Sequence, residues 1–517
     1  MPRLTAVFIL LFIVVLCLHT SLLRLPYFWD EAGYYVPAAH DLLLTGRSIP
    51  FSTPSNAHPP LVMAYLALWW KLAGFSVIVT RVAMLGLAAF TLLGIYRLAR
   101  RVANTEVAIA STICTALYPV FFVQSSLAQV DLAAAGFIMW GLLAYVEDRL
   151  FGIALWFSLA ALAKETAILA PAGLFAWELA RRFAAKHFAS GTNVKKLFAL
   201  CIPALSLFVW YAYHRFRTGF VFGNPEFFRY NVQATMHPLR MLLALGMRLW
   251  QTFGYMNLWV LTIATILAMW LPALPDGKNG NERPRIDLNV QFAFLAVAVI
   301  YIVVLSVVGG AELARYMLPV VPLVMIVFVS TLWRRVSFWK PLVGLVTAMF
   351  VAALFVNPPY GFSLEDNLAY RDYIVLHQNA ARFLESRYPR ADVLTAWPAN
   401  DELTRPYLGY VTHPIRVVRI DDFTVEQVMS AADSGAPYDL ALVFSTKYQP
   451  PRPFLEHWLW WQKAKIRFFD YHRDLPPALA AHILGGDVVF RKQQHGQWIA
   501  VIQVQQMRDA RLSLPSN

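Results

Sequence analysis

The sequence predicts a mostly α-helical, polytopic membrane bundle followed by a small C-terminal α/β soluble domain. Three observations predict it. Hydrophobic residues make up 58% of the 517, mean hydropathy is +0.50, and only 15% are charged, where soluble chains average about 25%. Apolar stretches near the roughly 20 residues that cross a bilayer recur along the first two thirds. Near residue 357 the pattern changes to short strand-like runs with amphipathic helical stretches between several of them. The domains expected are therefore 1–356, in the membrane, and 357–517, outside it.

About eleven spans are predicted, near 4–23, 76–96, 105–123, 131–146, 150–163, 166–180, 197–214, 255–272, 290–308, 317–333 and 339–356. The first is long and uniformly apolar with no small-residue cleavage site after it, so it reads as a retained span. The fifth is short, and the orientation of everything after it depends on it. Residues 24–75 read as an outer loop with two interfacial helices, around 34–45 and in LVMAYLALWW, rich in the Tyr and Trp that favour headgroup depth. A second interfacial stretch, 215–254, carries Arg215, Arg217, Arg229, Arg240 and Arg248 among aromatics. Beyond 357, strands are expected at 391–397, 415–420, 438–444, 487–492 and 497–503, with helices at 367–387 and 424–433.

Residues 1–356 hold 27 Lys and Arg against 14 Asp and Glu, and 357–517 hold 17 of each, so the whole net charge of +13 lies in the membrane part. This is loop charge that sets topology and meets anionic lipid, not a nucleic-acid surface. The basic clusters Arg97, Arg100 and Arg101; Arg149; Arg181, Arg182, Lys186, Lys195 and Lys196; Lys278, Arg283 and Arg285; and Arg334, Arg335 and Lys340 follow even-numbered spans. Placing them inside gives a cytoplasmic N-terminus and an extracytoplasmic C-terminal domain in an inner or plasma membrane, periplasmic in a Gram-negative cell. The three cysteines, Cys17, Cys114 and Cys201, all fall in apolar segments and offer neither a disulfide framework nor a metal motif.

Ionisable groups mark one depth. Asp30 and Glu31 follow the first span, and Asp131, Lys164, Glu165, Glu312 and Arg315 sit at other predicted outer span ends. Acids at a lipid boundary are costly unless solvated or used, and paired acids and bases at one level of a bundle look like a site. Six of the seven have a bland alternative: a wet loop end for Asp30 and Glu31, a helix N-cap for Asp131, a snorkelling arginine for Arg315, and a simple pair of Lys164 with Glu165.

WDE at 29–31, HPPL at 58–61, Asp131, KE at 164–165 and RYMLPVVP at 315–322 resemble, in order and spacing, the GT-C glycosyltransferases. The nearest branch is the protein O-mannosyltransferase and lipid A aminoarabinose transferase group, and the likeness covers about residues 1–356. The resemblance implies an inverting glycosyltransferase that moves a hexose or pentose from a polyprenyl-phosphate donor to a lipid, glycan or protein acceptor. It implies Asp30 as base or acceptor orienter, Glu31 as supporting acid and Asp131 as a second catalytic acid. Arg315, Lys164 and His58 would meet the donor phosphate, and Tyr34, Tyr35, Glu165 and Glu312 would line the substrate. His58 departs from the lysine that the aminoarabinose transferases carry before the two prolines, which argues against that exact substrate. Pro59 could instead start the interfacial helix. No cofactor is expected; Glu31, His58 and Asp131 could converge on a divalent cation, but no clustered ligand spacing supports one, and the metal set stays empty. The competing class is a transporter or lipid-linked sugar flippase, which explains the many spans but not the adjacent loop acids, the outer α/β domain or the absence of repeats.

Overall fold

The computed structural model describes residues 2–184, 194–223, 225, 228–229, 232–276, 281–435, 437–450 and 458–504; Lys186 and Lys278 of the basic loops lie outside them. The chain divides into two compact units, one of 1–23 with 38–356 and one of 24–37 with 357–517. The partition differs from the expected one in a single segment: 24–37, which carries the WDE motif, compacts with the C-terminal unit.

In the first unit each predicted span overlaps at least one helix. Four described helical segments are long and apolar enough to cross a membrane: Leu4–Leu22, Val77–Val102, Val194–Thr218 and Leu288–Val307. Leu61–Ala73, Thr105–Leu117, Val130–Val146, Leu150–Ala163 and Trp339–Phe355 are apolar but shorter. Local chemistry sets several ends. Ser76 and Asn104 accept from the backbone N–H groups of Val79 and Val107 and start their helices. The expected third span is two helices, because Pro119 opens a new one, Pro119–Gln124, after Thr105–Leu117 ends. The interfacial helix begins at Leu61 with Pro60 as its cap residue, so Pro59 lies before its first turn.

Val130–Val146 is the central helix. It is buried over nearly its whole length and packs on Val77–Val102 and Leu150–Ala163. Small residues allow this approach: an added Cβ at Gly141 would stand 2.7 Å from the Phe157 ring. The outward faces of other helices are apolar and exposed, as with Leu295, Val299 and Val303 on Leu288–Val307. In water such faces are a liability, whereas in lipid they are the ordinary outer surface.

The second unit holds a five-stranded sheet in the order β2-β1-β3-β5-β4: β1 (Asp392–Ala396), β2 (Arg416–Ile420), β3 (Leu440–Phe444), β4 (Gly486–Gln494) and β5 (Gln497–Val504). All five predicted strands are present. β1 pairs in parallel with β2 and β3, and β5 pairs antiparallel with β3 and β4. The parallel connections run through helices, including Ala399–Thr404 and Val425–Asp433. β3 reads LALVF and is buried at every position, as a central strand covered on both faces must be. Ala369–Arg387 packs on β4 and β5.

Candidate active site

The helical unit brings three predicted residues together. Asp131 lies in the first turn of Val130–Val146, one residue inside the helix whose cap position Gln129 occupies. Its carboxylate is nearly fully buried and accepts from Lys164 Nζ at 2.5 Å, with Arg315 Nε at 3.3 Å from the other oxygen. Arg315 also donates to Gln129 Oε1 at 2.5 Å. Asp131 is therefore an ion-pair centre and not a helix cap, and Arg315, 2% exposed, is not a snorkelling arginine. The local chain explains the convergence. Lys164 ends Leu150–Ala163 in extended conformation before the short turn Glu165–Ile168. Arg315 sits in another short turn, Ala314–Met317, ahead of Val321–Arg335.

Tyr316 links this trio to a second group. Lys164 Nζ lies 3.8 Å from its ring centroid, and the guanidinium carbons of Arg248 and Arg315 lie 5.5 and 5.6 Å away. Arg248 then contacts Glu312 at 2.8 Å, and Arg240 contacts it at 3.4 Å. Gln251 accepts from Arg248 Nη1 and donates to the Glu312 carbonyl, each at 2.7 Å. Burial pushes the Glu312 carboxyl above its ordinary value, with Arg248 and Arg240 pulling the other way. The sequence placed Arg240 and Arg248 on an interfacial stretch; both are buried. They turn inward because the 309–313 segment offers them a carboxylate and backbone carbonyls, including Gly309 O to Arg240 and Leu313 O to Arg248. Their spacing, two turns apart on Pro238–Phe253, was the signal available in the sequence. Gln129, Gln251 and Tyr316 had none.

Glu165 does not pair with Lys164. Its carboxylate contacts His58 Nδ1 at 2.7 Å. The neighbouring Ser55 hydroxyl pairs with His214 Nε2 at 2.9 Å, and Trp210 donates to Ala57 O. These bonds fix the HPPL loop from the helix Val194–Thr218 and the turn Glu165–Ile168.

Asp30, Glu31, Tyr34 and Tyr35 lie in the second unit, on one short turn. Glu31–Tyr35 is a wide, five-residue-period helical turn with Asp30 at its cap position. Glu31 is fully buried and its carboxylate accepts from the Phe28 backbone N–H at 2.8 Å, so it holds the turn closed. Asp30 and Tyr34 are half-buried and Tyr35 is buried. The turn rests on aromatic contacts: Trp29 and Tyr34 lie 5.1 and 5.8 Å from Trp397, and Phe28 meets Tyr370 and Tyr373 edge-on. Among the described residues no three His, Cys, Asp or Glu side chains form a group that could hold a metal ion.

The fold is similar to that of GT-C membrane glycosyltransferases, as the motifs suggested. Residues 57–213, which contain HPPL, Asp131 and Lys164–Glu165, match the family model for dolichyl-phosphate-mannose-protein mannosyltransferase. Among solved structures, ArnT from Cupriavidus metallidurans bound to undecaprenyl phosphate is similar with a TM-score of 0.53 at 12% identity, over 96% of this chain and 97% of that one. The same protein in the apo state gives 0.52 at 12%, over 100% and 99%. The likeness to ArnT is one of fold. The Archaeoglobus fulgidus oligosaccharyltransferase in its apo form is less similar, with a TM-score of 0.47 at 11% identity, over 96% of this chain and 74% of that one. No curated protein matches the chain.

Proposed function

We propose that this chain is an inverting glycosyltransferase that moves a sugar from a polyprenyl-phosphate donor to a lipid, glycan or protein acceptor at the outer face of the membrane. One observation carries the reading. Four permanent cations, Lys164, Arg240, Arg248 and Arg315, gather around Asp131 and Glu312, all of them buried, and the Tyr316 ring joins the two groups. Ammonium and guanidinium groups clustered in one place suit a bound anion, and guanidinium forks suit phosphate in particular.

In the proposed reaction an acceptor oxygen attacks the anomeric carbon opposite the phosphate. The bond from that carbon to the phosphate oxygen breaks, and its electron pair leaves on the lipid phosphate. The acceptor proton passes to the Asp30 carboxylate. The leaving phosphate needs no proton but needs its charge met, which is the role given to Arg315 and Lys164, with His58 at the loop. Asp131 orients both cations. Glu31 supports Asp30 by closing its turn, Tyr34 is the aromatic for the sugar with Tyr35 behind it, and Glu165 and Glu312 hold the surrounding cations. The reaction as written uses no metal ion. Fold likeness to membrane enzymes and the apolar helices support a membrane location, with the basic loops assigned to the cytoplasm.

The test is to incubate purified protein with a panel of polyprenyl-phosphate sugars and acceptors and to analyse products by mass spectrometry and anomeric NMR. A glycosylated acceptor of inverted configuration is expected. Movement of lipid-linked sugar across vesicles with no covalent product would replace the reading with a transporter.

A further inference from the structure

We propose that the helix Leu459–Phe469 of the second unit is a docking element for an anionic lipid surface. Its sequence, LWWQKAKIRFF, holds three cations and no acid. None of its residues is buried, unlike the other helices of eight or more residues in that unit. Trp458, just before it, is 44% exposed, and Leu459, Trp460 and Ile466 are 71%, 57% and 63% exposed. Lys463 and Arg467 are exposed beside them.

A helix of a water-facing domain should bury an apolar stripe against its own sheet. Here Leu459, Trp460 and Ile466 are exposed, Trp461, Phe468 and Phe469 are half-buried, and cations are interleaved among them. That combination fits the headgroup boundary: Trp prefers interfacial depth, aliphatic tips enter the acyl layer, and Lys and Arg extend their stems upward to phosphate. Complementarity of charge selects lipid over a protein partner. An acid-free helix bearing three cations gains about 1 kcal/mol, or roughly fivefold, per cation at an anionic leaflet. The tether to membrane-length helices in the same chain keeps a bilayer within reach.

The test uses the full-length protein in lipid nanodiscs. On a Cys17→Ser, Cys201→Ser background, an environment-sensitive NBD fluorophore is placed at Ile466→Cys, with Met429→Cys on the exposed face of Val425–Asp433 as the water-facing control. In phosphatidylglycerol discs the label at 466 should shift to the blue and be quenched by doxyl lipids. In phosphatidylcholine discs, or with Lys463, Lys465 and Arg467 all changed to Gln, both effects should fall several-fold. A label at 466 as wet as that at 429 in both lipids overturns the proposal. So does a blue shift without doxyl quenching, which would mean that protein covers this face, or quenching that ignores lipid charge.

Discussion

Single side chains decide the chemistry proposed here. Asp30 is half-buried at the cap position of its turn in the second unit, so Asp30→Asn should insert and fold normally. Transfer should fall about 10²–10⁴-fold, the usual contribution of a general base. Near-normal turnover of purified variant would remove Asp30 from that role. Arg315→Ala should act on donor use, raising KM for the lipid-linked sugar with little change in acceptor KM; losing a charge-assisted contact is worth about 1.5–3 kcal/mol. Equal effects on both substrates would argue for general damage instead. Asp131→Asn is a different experiment. It strips the charge that faces two buried cations, so it should lower thermal stability in detergent by the equivalent of about 3–5 kcal/mol as well as abolish transfer. Retained stability with lost transfer would mean that a bound anion or water already compensates those cations. At this scale the sequence identified Asp131, Lys164 and Arg315 because each interrupts an apolar run at a predicted span end. It missed the partner exchange in which Lys164 turns to Asp131 and Glu165 to His58. Adjacent residues at a helix end point in different directions, and only the neighbouring helices say which partner each one meets.

Secondary elements were more legible than their ends. Apolar run length found the helices, and alternation of strand-like and amphipathic runs found all five strands and the helix at 369–387. Besides the break at Pro119, element ends were missed at the short turns Ala314–Met317, Glu165–Ile168 and Glu31–Tyr35. All three turns carry predicted site residues, and hydropathy is blind to a change of turn type within an apolar window. The Glu31–Tyr35 turn depends on close approach: a Cβ at Gly33 would stand 2.6 Å from Trp397 Nε1. Gly33→Ala should therefore displace Trp397 and loosen the turn, costing about 1–3 kcal/mol. Limited proteolysis within 24–37 should accelerate in that variant while the helical unit resists as before. Unchanged cleavage would show that the indole yields without consequence.

For the whole molecule, orientation is the claim that loop charge makes and that contacts do not address. If the basic loops face the cytoplasm, Met429→Cys on the second unit should react with a membrane-impermeant maleimide in intact cells or spheroplasts. Asn281→Cys, in the loop beside Arg283 and Arg285, should react only after lysis. The opposite pattern would invert the topology and move the proposed reaction to the other face.

Composition and apolar periodicity alone determined the membrane bundle, the five strands and the positions of the ionisable groups, because burial in lipid and alternation in a sheet are written residue by residue. Tertiary structure decided which charges meet. It drew Arg240 and Arg248 inward onto Glu312, and it assigned 24–37 to the sheet unit through the buried rings of Tyr27 and Phe28 and the bond from Tyr410 to Tyr27 O. Those outcomes depend on groups far apart in the chain, and pairing across such separations leaves no local pattern to read.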